Sequence, residues 1–364
     1  MKKIKILQIV PSLGLANGVA AYLNNYYENM DLSKYETTIL VLNNDDKERY
    51  NFFKEKGCII VEFYKESSWF AYLKKINDFF STNYFDVVHC HAANYGAFFM
   101  YYAKKYNVSL RIIHSHANRS ADKVSHAIRN SFLIPIAVKN SNKYIACSND
   151  AGKFMFKKKK YSILNNAINL EKFKFNFEDR NEIRNQLNLN GKFVVGSFGR
   201  FCPQKNQLFT LEVFDKILDK NKETILLLIG TGEQKEVIEK KAKKMGIYEK
   251  IIILNSKKDI NRYYNCLDIF LLPSTYEGLG IVLIEAQTNN LKCYTSKYKV
   301  PTIAKVSPLL EFIELKNNAS EWSKIITNND NKREDYFIDI SKSSYNIINE
   351  ANKLEEIYNS IIND

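Results

Sequence analysis

A chain of 364 residues exceeds what one hydrophobic core usually spans, so two domains are expected, and 45% hydrophobic residues are ample to fill them. The six cysteines, at 58, 90, 147, 202, 266 and 293, form no Cys-x-x-Cys pair, which argues against a zinc ribbon or a disulfide framework and fits reduced thiols in the cytoplasm. The net charge of +13 is concentrated, because residues 101–160 hold 13 Lys+Arg against only Asp122 and Asp150, while residues 1–100 balance at 11 of each sign.

In chain order, Met1-Lys2-Lys3 runs into Ile4–Val10, a strand whose apolar part is too short for a signal sequence. No later apolar run approaches a membrane span. The loop Pro11-Ser12-Leu13-Gly14-Leu15-Ala16-Asn17-Gly18 follows, and Gly18 at a helix start lets backbone approach a ligand closely. Further strands are read at Thr38–Leu42, Val87–His89, Arg111–Ile113 and Tyr144–Ala146, with helices at Val19–Asn29 and Trp69–Phe80. Four of the five histidines sit at two strand ends, His89 and His91, then His114 and His116. Zinc is conceivable from the ligand type. The i, i+2 spacing and the lack of a nearby acid beyond Asp86 weigh against it, so no metal is expected.

Ala121–Asn140 is apolar and basic and is interrupted by Pro135. It reads as an interfacial helix on anionic lipid, or as a core helix with a basic outer face. Residues 101–160 as a whole should face something anionic: phospholipid headgroups, a diphosphate-linked lipid acceptor or nucleic acid. A solvated basic face without a partner is the bland alternative.

The polar stretch Lys157–Asn190 marks a domain boundary, after which the plan repeats. Strands are read at Val194–Phe198, Thr224–Ile229, Ile251–Leu254 and Ile269–Leu272, with helices at Gln207–Leu218 and Glu233–Met245. Two successive β/α blocks imply an α/β chain with two Rossmann-like, doubly wound parallel sheets. Ligands in such sheets bind beyond the strand C-termini, and a cleft between the domains is the natural place.

Three strand–loop–helix turns carry the candidate chemistry. Phe198-Gly199-Arg200-Phe201-Cys202-Pro203-Gln204-Lys205-Asn206 offers two cations, Arg200 and Lys205, on one loop between a strand and a helix, where they suit an anionic ligand. Ile229-Gly230-Thr231-Gly232 is a second Gly-x-Gly turn, without the third glycine of a dinucleotide fingerprint. Pro273-Ser274-Thr275-Tyr276-Glu277-Gly278-Leu279-Gly280-Ile281 leads into a helix that carries Glu285. Free N–H groups at such a helix start favour phosphate, and a carboxylate further along can accept from sugar hydroxyls. No Asp-x-Asp occurs, so the sequence offers no closely spaced acid pair for a metal ion.

Glu277 and Glu285, with the flanking Pro-Ser and Glu-Gly-x-Gly, resemble the E-x7-E motif of retaining GT-B glycosyltransferases, family 4 in particular. The Gly199–Asn206 loop is similar to that family's G-R-x-x-x-x-K-G element, with Asn206 in place of Gly, and Asn165–Phe173 partly resembles its hinge element. The resemblance covers nearly the whole chain and looks most like transferases of bacterial capsule and exopolysaccharide assembly.

The resemblance implies a GT-B fold, two domains facing across a cleft. Residues 1–165 would form the acceptor-side domain, 166–190 a hinge, 191–345 the nucleotide-sugar domain, and 346–364 a helix crossing back. It implies retaining, metal-independent transfer from a nucleotide-diphosphate sugar, UDP-sugar favoured, to a glycan or lipid-linked acceptor. Arg200, Lys205, Glu277 and His116 would be catalytic. Glu285, Gly199, Gly230, Gly278, Leu279 and Gly280 would hold the donor, and Asn17 and Gly18 the phosphate and acceptor side. No cofactor and no nucleic acid are expected, and the location is cytoplasmic, peripheral at the inner face of the plasma membrane. A GT-B-fold epimerase or phosphorylase, or a basic nucleic-acid-binding protein, are the alternatives.

Overall fold

The computed structural model describes residues 3–14, 18–43, 49–92, 94–116 and 124–362, and of 124–127 the backbone only. The chain divides into two compact units, Met1–Ala167 with Ile347–Asp364, and Ile168–Asn346.

The first unit holds seven strands: β1 (Ile4–Val10), β2 (Tyr35–Val41), β3 (Ile59–Glu62), β4 (Val87–Cys90), β5 (Leu110–Ser115), β6 (Lys143–Ala146) and β7 (Ser162–Ile163). They pair in the order β3-β2-β1-β4-β5-β6-β7, and every pairing is parallel. The second unit holds six: β8 (Phe193–Phe198), β9 (Thr224–Ile229), β10 (Ile251–Leu254), β11 (Ile269–Leu272), β12 (Lys292–Ser296) and β13 (Leu310–Ile313). Their order is β10-β9-β8-β11-β12-β13, again all parallel. Both are doubly wound α/β sheets, as the alternating pattern predicts.

A parallel sheet covered on both faces needs strands that are apolar throughout rather than alternating. Accordingly β11 is buried at all four positions and β1 at all but Lys5. Each unit therefore has two core layers, one on each face of its sheet.

From Ile168 onward the stretch expected as a hinge is folded into the second unit. Leu170–Phe173 and Phe177–Gln186 are helices, opened by Asn169 and Asn176, whose side chains accept from backbone N–H groups three residues on. Phe173 and Ile183 enter that unit's core. The last helix, Ile347–Asn359, belongs to the first unit, where Ile347, Ala351, Leu354 and Tyr358 join the core. Its Glu350 is fully buried, pairs with Lys353 and accepts from the Asn165 N–H at 2.7 Å. Pro135 does not interrupt the basic segment: the helix Val124–Asn140 runs through it with one N–H fewer in its ladder.

Candidate active site

Strand order reverses in each sheet between its first and fourth strands, β1 beside β4 and β8 beside β11. Loops leaving the two strands at such a point diverge and open a crevice. Apart from Gly230, which follows β9, the sequence-predicted residues of the second unit lie on or just beyond the loops after β8 and β11.

These loops are stitched together. Thr275 N–H donates to the Gln204 carbonyl at 2.8 Å, Gln204 Nε2 to the Tyr276 carbonyl at 2.9 Å, and Asn206 Nδ2 to the Pro273 carbonyl at 3.0 Å. Lys205 and Glu277, which sequence reasoning aimed separately at a ligand, are brought onto each other, Nζ to Oε1 at 2.8 Å. Glu277 is buried, and Ser274 Oγ donates to the same Oε1 at 2.6 Å. Among the described residues, both side-chain partners of Glu277 are on that one oxygen. Ser274 was missed as a partner, although its place three residues before Glu277 was the available signal. Arg200 is exposed on the same loop.

Gly280 stands at φ 77° as the N-cap of the helix Ile281–Thr288, and no side chain caps that end. The first-turn N–H groups have no capping side chain to satisfy them and face an anion favourably. One turn further in, Glu285 accepts from the Tyr264 hydroxyl at 2.6 Å. Burial pushes the Glu285 carboxyl up to about 7, against the lowering influence of the Tyr264 hydroxyl and of Lys205. Tyr264 is fully buried, and the Arg333 guanidinium holds the turn behind it by donating to the carbonyls of Tyr264, Asn265 and Leu267. Neither residue carried a signal in the sequence.

The glycines separate by cause. A Cβ on Gly230 would stand 1.9 Å from the Gly199 carbonyl oxygen, and one on Gly232 2.3 Å from that of Phe201. Both are required by loop-to-loop packing, which accounts for Gly230 without a ligand. A Cβ on Gly278 would meet nothing within 4 Å, so protein packing does not explain that glycine, and the same holds for Gly18. Gly199 is at φ 135° beside the Lys205 stem. Leu279 packs partly into the core. Asn206, the departure from the family's glycine, is at φ 59°, a left-handed conformation that Asn tolerates best after Gly.

The reversal point of the first unit is built from neutral rings. His89 Nδ1 is 2.7 Å from the Tyr358 hydroxyl and its Nε2 is 3.1 Å from His114 Nδ1. His91 Nδ1 is 2.8 Å from His116 Nε2, and its Nε2 is 2.9 Å from Gln8 Oε1. Burial lowers all four imidazoles, His89 and His116 to about 3 and the other two well below their ordinary value. Nitrogens of His89, His91 and His114 come within 4.8 Å of one another, close enough for a metal ion. His89 and His91, however, each have both nitrogens in hydrogen bonds, and among the described residues no carboxylate joins the group. Asn17 lies outside the described residues.

Residues 179–306 match the family model described as glycosyl transferases group 1. EpsF of Bacillus subtilis, named as a glycosyltransferase, is 24% identical over 333 residues, 88% of this chain and 86% of that protein. An Escherichia coli enzyme named UDP-Gal:alpha-D-GlcNAc-diphosphoundecaprenol alpha-1,3-galactosyltransferase is 27% identical over 224 residues, 58% of each chain. The crystal structure of Anabaena HepE in complex with UDP-glucose superposes with a TM-score of 0.72 at 15% identity, over 99% of this chain and 98% of that one. The fold is that of the two-domain GT-B proteins. With that fold and the group 1 match in its second unit, the chain is a glycosyltransferase.

Proposed function

We propose that the chain is a retaining, metal-independent glycosyltransferase of family 4. It moves a sugar from a UDP-sugar to a lipid-linked saccharide or glycan acceptor in polysaccharide biosynthesis. The reading is carried by one observation: a Lys205–Glu277 pair with a buried carboxylate beside an uncapped helix start, with Glu285 one turn along that helix. The named activity of the E. coli relative and the ligand of HepE support the choice of donor and acceptor class.

In this reading the helix start at Gly280, Arg200 and Lys205 carry the charge of the diphosphate as it leaves. Glu277 keeps Lys205 in place and accepts from donor-sugar hydroxyls, and ionised Glu285 accepts from the ribose hydroxyls. Gly278 and Leu279 bring backbone to the sugar, Gly199 to the phosphates. The bond from the anomeric carbon to the diphosphate breaks, and the acceptor oxygen bonds that carbon on the same face. The departing phosphate takes the acceptor proton. Gly18, Asn17 and His116 are assigned to the first unit's share of the work.

Calorimetric titration of UDP and GDP, with EDTA present, tests this. UDP should bind, and Glu285→Ala should weaken it at least tenfold, about 1.4 kcal/mol. A folded wild type that binds neither nucleotide would refute the proposal. Product analysis with and without acceptor then separates transfer from epimerisation or phosphorolysis.

A further inference from the structure

One buried amide governs the four imidazoles of the first unit. Gln8, on β1, is fully buried, and its Nε2 donates to the hydroxyls of Tyr358 at 2.8 Å and Tyr27 at 3.1 Å. Tyr27 gives its own hydrogen to Thr37 Oγ1 at 3.4 Å, so it accepts from Gln8. The amide is thereby oriented, with its nitrogen towards the tyrosines and its oxygen towards His91.

A neutral imidazole carries one N–H and one bare nitrogen, so each hydrogen bond fixes the next. Gln8 Oε1 only accepts, so His91 holds its proton on Nε2, 2.9 Å away, and its Nδ1 is bare. His116 Nε2, 2.8 Å from that bare nitrogen, must then donate, which leaves His116 Nδ1 bare. A second relay starts from Tyr358, which the C-terminal helix brings in. Its hydroxyl accepts from Gln8 and donates to His89 Nδ1 at 2.7 Å. His89 therefore carries its proton on Nε2 and donates to His114 Nδ1 at 3.1 Å. His114 in turn is protonated on Nε2, and among the described residues that buried nitrogen has no hydrogen-bond partner.

The relays end on neighbouring rings, His114 and His116, stacked with centroids 4.0 Å apart. One end is a donor and the other an acceptor, and His116 is partly exposed. A buried N–H left unpaired is costly in a finished core and calls for a ligand oxygen. A phosphate could answer the His114 N–H but has no hydrogen for His116, whereas a hydroxyl both donates and accepts. Turning the Gln8 amide over would invert every ring and make His116 a donor.

We propose that Gln8 and Tyr358 are positioning residues: they lock the four histidines as Nε2–H tautomers, so that His116 keeps a bare Nδ1 to accept from a sugar hydroxyl. The use of that nitrogen rests on the function proposed above. The tautomers themselves do not.

Nitrogen NMR of the full chain with isotope-labelled histidine tests it, because bare and protonated ring nitrogens resonate apart. His89, His91, His114 and His116 should all carry the proton on Nε2. Protons on Nδ1 in His91 and His116 would mean a reversed amide and would overturn the inference, and the wild-type spectrum decides this even if a variant misfolds. Tyr358→Phe should release the His89 and His114 tautomers and leave His91 and His116 as they are. Gln8→Met should release both pairs. A lower melting temperature in Gln8→Met with the His91 and His116 tautomers unchanged would reduce Gln8 to a structural residue. UDP-glucose or UDP-galactose should shift His116 Nδ1 where UDP alone does not. Gln8→Met should weaken that sugar nucleotide by about 2–10-fold at unchanged UDP affinity. UDP binding with no such shift from either sugar nucleotide would overturn the role towards sugar. Absence of UDP binding would refute the proposed function instead, and the tautomer pattern would still decide the locking by Gln8 and Tyr358.

Discussion

The two sheets share one strand order, and their reversal points are furnished in opposite ways. The second unit places charge there: Lys205 against Glu277, exposed Arg200, and Glu285 half-shielded behind Tyr264. The first unit places four imidazoles, with Gln8 and Tyr358, and holds them neutral by burial. A site that meets a leaving diphosphate needs cations and N–H groups aimed at developing charge. A site that meets hydroxyl groups needs neutral donors and acceptors. The common topology supplies the crevice, and the loop residues supply the chemistry.

The largest test of this contrast falls on the charged side. Lys205→Ala leaves Glu277, 6% exposed, as an unpaired buried carboxylate. Turnover should drop about 10²–10³-fold, and stability should also suffer, by less than the ~3–5 kcal/mol of a fully buried pair, because Lys205 is partly exposed and Ser274 still donates to Glu277. Arg200→Ala removes an exposed guanidinium, so turnover should fall at an unchanged melting temperature. Unchanged turnover in either variant would remove charge stabilisation from the second unit's role.

Acid should separate the units next. The four histidines titrate near 6.5 when unfolded and are lowered when folded, His89 and His116 to about 3. Below about pH 6.5 the unfolded chain binds more protons, so their contribution to stability is present above that pH and lost as the pH falls. Each histidine adds about 1.4 kcal/mol per pH unit to the slope. Glu285 has the opposite sign: raised to about 7, it contributes stability at low pH that is lost as the pH rises through 7. The two tryptophans report one unit each, Trp69 in the first and Trp322 in the second. Fluorescence melts of Trp69→Phe and Trp322→Phe at about pH 7.5 and about pH 5.5 should show the first unit losing more. An equal loss in both would contradict neutral buried histidines.

What the sequence made legible was local. The strands Thr224–Ile229 and Ile269–Leu272 have the bounds their apolar runs predict, because a strand buried on both faces is written as an unbroken run, and the half-buried edge strand Ile251–Leu254 also keeps its predicted bounds. β12, Lys-Cys-Tyr-Thr-Ser, mixes polar and apolar residues and gave no such signal. The site loops were legible as strand–glycine–helix segments, and their internal wiring was not. Tyr264 reaches Glu285 from 21 residues upstream, and Tyr358 reaches Gln8 across 350. Pairings of that kind are set by topology, which a linear reading does not contain. The packing reason for Gly230, the Gly199 carbonyl, lies on another loop and was not legible in the sequence.

The charged side can be probed more finely through Tyr264. Its hydroxyl lowers the Glu285 pKa, so Tyr264→Phe should raise it further above 7. If ionised Glu285 accepts from ribose, UDP affinity should rise with pH through about 7 in wild type. In the variant the rise should move to higher pH, with a loss of a few-fold at neutrality. A pH-independent UDP affinity between about pH 6 and about pH 8 would place Glu285 outside the ribose contact.

The smallest expected effect is at Asn206. The residue sits at φ 59° and its Nδ2 donates to the Pro273 carbonyl at 3.0 Å, one of the bonds that stitch the two loops. Asn206→Gly keeps the left-handed backbone and removes that bond, and the net change should stay within about 1 kcal/mol. Asn206→Val forces a β-branched residue into the same conformation and should cost more, about 1–2 kcal/mol. If the side chain serves only to hold the loops together, both variants should keep their UDP affinity while their melting temperatures separate. A loss of UDP binding in Asn206→Gly without a change in melting would instead make Asn206 part of the charged site, where its amide supplies what a bare glycine leaves to the backbone.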